Sequence, residues 1–197
     1  KLCEGPDGLY YALLFQGGIT CFDKDIEKFL PVRFDKPLEL KDILDFCWND
    51  GSLYLVTSQG LFESRIVRKT EGKHDFVLCL LNPEPVVRGK VAHLCSDGKT
   101  NLYFSVNQRK VVHYDLVAKK TSLIKEYSVV NRLFLRHGYL WICRLWDDII
   151  CYDLKTNEER VISMEGKDQS EFSNSYVTDL VLKDNRTFYL TTWNGLY

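Results

Sequence analysis

One pattern returns five times along the chain of 197 residues and constrains its fold more than any other feature. An apolar residue followed by an aromatic one occurs at Leu9-Tyr10, Leu53-Tyr54, Leu102-Tyr103, Leu140-Trp141 and Phe188-Tyr189, at intervals of 44, 49, 38 and 48. Upstream of each pair stands an apolar run and a turn: Asp7-Gly8, Asn49-Asp50-Gly51, Ser96-Asp97-Gly98, His137-Gly138 and Lys183-Asp184-Asn185. Downstream comes a second polar turn and another short run, as in Gly60-Leu61-Phe62, Val111–Tyr114 and Ile149–Tyr152. A repeat of about 45 residues is one four-stranded propeller blade long.

The local chemistry agrees. Asp-Gly and Asn-Asp-Gly tolerate the positive φ that tight hairpins need, and the runs between them are rich in β-branched and aromatic residues. The expected fold is all-β: a β-propeller of four-stranded antiparallel blades, with four to five present as part of a larger, seven-bladed one. Repeat units fall near 1–37, 38–87, 88–127, 128–170 and 171–197 of a single domain or fragment. Innermost strands are expected at Leu44–Trp48, Val91–Cys95, Arg132–Leu135 and Val177–Leu182, and outer ones at Lys28–Phe34, Phe62–Lys69 and Glu159–Met164. Thr70–Val87 and Gly166–Ser175 read as surface connections, and no segment carries a sustained helical period. Phe22-Asp23, Tyr114-Asp115 and Tyr152-Asp153 place an aspartate at one repeat position, pointing to turn or packing hydrogen bonds.

Composition narrows function. With 26 basic and 27 acidic residues the net charge is -1, without the basic excess that phosphate backbones demand. The longest apolar run, Leu9–Phe15, is far short of the roughly 20 residues of a spanning helix, and Lys1 opens into strand-like sequence with no leader expected. The seven cysteines include no C-x-x-C pair and the four histidines are scattered, so no metal and no cofactor is expected; the thiols read as small apolar filler. No G-x-S-x-G elbow, phosphate loop or H-E-x-x-H helix occurs. Asp147-Asp148 is an acidic pair of a kind common on exposed surfaces, and no catalytic residue is assigned.

The last unit is the most specific. Ser173–Leu180, Lys183-Asp184-Asn185 and Tyr189–Tyr197 resemble the two-component regulator propeller repeat, as do Leu53–Phe62 and Leu140-Trp141-Ile142. Where that repeat carries glycine before threonine, this chain has Val56, Val106, Cys143 and Thr191. The resemblance implies the periplasmic sensor region of a hybrid histidine kinase, responding to polysaccharide breakdown products. It also implies a non-enzymatic domain, the kinase lying elsewhere in the receptor.

In such a fold the turns between second and third strands share one end with the connections between units, where loops vary without disturbing strands. Here those turns carry Gln16, Gln59, Gln108, Trp146, Asp147, Trp193 and Asn194. Aromatic faces stack on sugar C–H groups while amides and carboxylates bond hydroxyls, so these seven are the candidate ligand-binding residues. The bland alternative for the tryptophans is packing between units, and for the amides ordinary turn chemistry. Expected partners are an oligosaccharide and the rest of the receptor or a second copy in a homodimer, with no nucleic acid and no membrane span. The alternative function is a non-catalytic scaffold for a protein partner.

Overall fold

The structure is a computed structural model that describes residues 1–14, 18–34, 43–68, 76–145, 147–163, 176–184, 187–193 and 195–196. Its regular structure is all strand, with no helix among the described residues. The first sheet runs β1 (Leu2–Glu4), β2 (Tyr10–Leu13), β3 (Ile19–Asp23), β4 (Lys28–Phe34). The second runs β5 (Asp45–Asn49), β6 (Ser52–Thr57), β7 (Gly60–Arg68), β8 (Phe76–Leu80), with β9 (Val87–Arg88) beside β7. The third is β10 (Val91–Ser96), β11 (Asn101–Val106), β12 (Lys110–Asp115), β13 (Lys120–Glu126). The fourth is β14 (Val130–Arg136), β15 (Tyr139–Arg144), β16 (Ile149–Asp153), β17 (Glu159–Ile162). The last is β18 (Val177–Leu182), β19 (Phe188–Thr192), β20 (Gly195–Leu196). Each is an up-and-down antiparallel meander.

The strand period of two explains the stacking. Along β6, Leu53 and Leu55 join the cluster shared with the first sheet, beside Tyr11 and Phe46. Their neighbours Tyr54 and Val56 join the cluster shared with the third, beside Leu94 and Phe104. Ile142 and Leu140 pack toward the third sheet, while Trp141 and Cys143 pack toward the last. Central strands are therefore apolar on both faces, and each sheet covers its neighbour in a propeller-like stack.

The turns follow the sequence. Asp50 and Gly51 have φ of 45° and 78°, and His137 and Gly138 have 51° and 82°, the two successive positive values of a type I′ hairpin. The recurrent aspartates hold the third-to-fourth turns: Asp115 Oδ1 accepts from the Val117 and Ala118 amides, and Asp153 Oδ1 from those of Lys155 and Thr156. Asp23 Oδ1 accepts likewise from the Asp25 amide.

Three expectations change. The segment starting at Phe62 lies in a third strand, β7, and is not an outer one. The fourth strand of that sheet is β8, inside the stretch expected to be a connection, which also carries the start of β9. Nor are the first two sheets separate. The outer strands β4 and β8 pair in parallel, Val32 with Phe76, Arg33 with Val77 and Phe34 with Leu78, making one nine-stranded sheet. The pairing satisfies backbone groups that two bare edges would leave to water. Gly166–Ser175 and Met164 lie outside the described residues.

Candidate functional site

The second-to-third turns are tied by backbone hydrogen bonds to the connections between sheets. The Gln59 carbonyl accepts from the Gly89 amide at 3.3 Å, and the Gln108 carbonyl from the Val130 amide at 2.7 Å. Gln108 itself sits at φ 54° beside Asn107 at 52°, and both glutamine side chains are exposed. Asp147 is anchored at the same end, pairing with Arg144 at 2.6 Å and accepting from Ser128 at 3.2 Å. Trp193 is 77% exposed and stacks on Tyr176, ring centroids 4.9 Å apart. The topology thus sets Gln59, Gln108, Asp147 and Trp193 at one end of the stack, each on a different sheet, without direct contacts between them. Gln16, Trp146 and Asn194 lie outside the described residues. The mid-strand tryptophans pack inside the stack: Trp48 edge-on against Tyr11 at 5.2 Å and Trp141 against Phe188 at 5.3 Å.

A second feature was not read from the sequence. The first strands of all five meanders, β1, β5, β10, β14 and β18, contribute to one cavity of about 520 Å³. Its walls carry Lys1, Glu4, Asp45, Arg132, Arg136 and Asp179 beside Trp48 and Phe134. Lys1 Nζ pairs with Asp45 Oδ1 at 2.9 Å and donates to the Leu94 carbonyl at 2.8 Å. Asp45 Oδ2 accepts from the Leu94 amide at 2.8 Å, so one buried carboxylate on β5 ties together Lys1, beside β1, and Leu94 on β10. Burial alone would lower the Lys1 pKa, but the charge and hydrogen bond of the Asp45 carboxylate, with the Cys47 and Cys3 sulfurs beside it, together outweigh burial and hold the ammonium above its ordinary value. Close by, burial pushes His93 down to about 4, with the Arg132 and Lys1 charges adding to the effect and Asp45 opposing it.

Cys47 and Cys95 line the same cavity, and burial raises both thiols, Cys95 to about 12. They stay protonated and unreactive near neutral pH. No group of histidine, cysteine and acidic residues able to hold a metal occurs among the described residues, and no helix long and apolar enough to cross a membrane occurs among them. The signal for this cavity was faint but present: Asp45 interrupts Ile43-Leu44-Asp45-Phe46-Cys47-Trp48, and Arg132 interrupts Val130–Leu135. A charge inside an otherwise apolar inner strand has to face a partner or a cavity.

No family model matches the sequence, and no curated protein does. Solved structures match in fold. The extracellular domain of the one-component system BT4673 from B. thetaiotaomicron aligns with a TM-score of 0.74 at 15% identity, over 100% of this chain and 28% of that one. That of the hybrid two-component system BT3049 from the same organism gives 0.61 at 14%, over 99% and 27%. A chain of the mitotic checkpoint complex gives 0.64 at 15%, over 99% and 60%. The present chain spans less than a third of either bacterial domain. At such identities the likeness establishes a propeller-like all-β fold, which hosts unrelated functions.

Proposed function

We propose that this chain is a ligand-recognition segment of an extracytoplasmic sensor propeller in a two-component-type receptor, reading polysaccharide-derived oligosaccharides. The observation that carries the reading is the likeness of the whole of this chain to a part of the extracellular domains of BT4673 and BT3049. In this reading the five sheets are blades of a larger, seven-bladed propeller in the periplasm, and a second copy or the rest of the receptor packs against them. Ligand contacts come from the turn-bearing end, where the exposed face of Trp193 stacks on sugar C–H groups and Gln59, Gln108 and Asp147 bond hydroxyls. Gln16, Trp146 and Asn194 belong to the same set by repeat position. The domain has no catalytic role of its own; the kinase belongs to another part of the receptor.

A scaffold for a protein partner is the competing reading, and the mitotic checkpoint chain shows that the fold also serves in protein assemblies. The two differ in what the aromatics do. A scaffold buries them between sheets, whereas a sensor leaves the Trp193 ring open to its ligand. The test is a thermal-shift screen against oligosaccharides cut from plant and host polysaccharides. A folded-state ligand raises the midpoint by mass action, and the shift is expected to vanish in Trp193→Ala. No shift with any glycan, alongside a sharp transition, refutes the glycan reading for this segment.

A further inference from the structure

We infer that the central cavity is a binding site for a small carboxylate-bearing molecule of sugar size, held by Arg132 and Arg136. The inference is independent of the turn-bearing end and of the oligosaccharide reading. Arg132, Phe134 and Arg136 alternate along β14 and so share one face, opposite Cys143, Trp141 and Tyr139 on β15. All three line the cavity. The other charges there are already engaged. Lys1 is paired with Asp45, Glu4 lies 4.0 Å from Lys24, and Asp179 Oδ1 accepts from the Leu180 amide.

The two arginines differ. Arg132 is half-buried and its Nε is shielded from water with no hydrogen-bond partner; its guanidinium makes no ion pair among the described residues. Arg136 spends one donor on the adjacent Leu135 carbonyl at 2.9 Å and likewise has no carboxylate. A half-buried guanidinium without an anion is costly to keep, and its planar fork fits a carboxylate through two parallel bonds. The wall charge selects the ligand further. Three cations face three carboxylates, so the lining is formally balanced and a monoanion is favoured over a dianion such as a phosphate ester. The cavity falls within the usual span of small-molecule sites, and the Phe134 ring on the arginine-bearing face suits the apolar side of a sugar acid.

The experiment is isothermal titration of the whole chain with D-glucuronate, with D-glucose as the uncharged match and succinate as a carboxylate without a sugar ring. Glucuronate is expected to bind one to one and glucose not at all. Succinate binding as well as glucuronate identifies a simple carboxylate as the source of the ligand chemistry; succinate failing identifies the sugar acid. Arg132→Met is expected to weaken binding at least about tenfold, with Arg132→Lys intermediate. Because Arg132 has no hydrogen-bond or ion-pair partner to lose among the described residues, the urea midpoint of Arg132→Met should stay at or above that of the parent. Absence of binding by both carboxylates into the tens of millimolar overturns the inference. So does equal binding of glucose, or glucuronate affinity unchanged in a folded Arg132→Met.

Discussion

Replacing Asp45 with alanine tests the account of the central strands most sharply. The residue is 3% exposed, and the substitution removes two longer-range interactions together with the acceptor of the adjacent Phe46 amide at 2.8 Å. The Leu94 amide, a buried donor, loses its acceptor at 2.8 Å, which costs about 1–3 kcal/mol. Lys1 loses its carboxylate at 2.9 Å; breaking a buried pair costs about 3–5 kcal/mol when the remaining charge stays dry. The Lys1 side chain keeps 25% of its exposure, so it regains part of its hydration and the second cost shrinks to about 1–2 kcal/mol. These two losses sum to a destabilisation of about 2–5 kcal/mol. Asp45→Asn leaves an oxygen for the Leu94 amide and should cost about half as much. Urea unfolding at neutral pH, followed by tryptophan fluorescence, gives both values if the slope m is unchanged. An alanine variant within about 1 kcal/mol of the parent would refute the claim that this carboxylate ties Lys1 and β10 to β5.

Three further outcomes are expected. A Cβ on Gly60 would stand 2.1 Å from the Val87 carbonyl oxygen, at φ +143°, so Gly60→Ala should cost about 2–4 kcal/mol by displacing β9, measured by the same unfolding curves. His93, pushed by burial from 6.5 to about 4, stays neutral in the folded chain while the unfolded chain takes up a proton below about 6.5. Its stabilising contribution is therefore complete above that pH and declines as pH falls toward 4, by about 2 kcal/mol at pH 5 and about 3 at pH 4. Unfolding titrations between pH 7 and 5 check this, and His93→Asn should flatten the slope. The salt-bridged Glu159 carboxylate, held low by Lys125 and Tyr127 against the effect of burial, adds to the loss only at the acid end. Trp193→Ala should leave stability within about 0.5 kcal/mol, since the exposed ring is not part of an inter-sheet cluster; a larger loss would mean that its stacking on Tyr176 holds the last sheet.

The sequence by itself determined what depends on near neighbours. Strand alternation and the Asp-Gly turns are local, so β5, β10, β14 and β18 were expected within a few residues of where they lie. The aspartates after the third strands act over two or three residues, and their role was legible for the same reason. That every meander puts its second-to-third turn on the same side was legible for the same reason. The failures have a different origin. Phe76–Leu80 is an ordinary strand sequence, but Glu71-Gly72-Lys73 before it and Asn82-Pro83 after it made the whole stretch look like a loop. What fixes it as β8 is its place between β7 and β4, the latter more than forty residues upstream. The central cavity is likewise a product of tertiary structure. Lys1, Asp45, Arg132 and Asp179 are polar interruptions about one repeat or more apart, and only the stacking of sheets turns them toward a common space. A repeat announces itself through local periodicity, whereas convergence of its units depends on packing angles that no short window of sequence records.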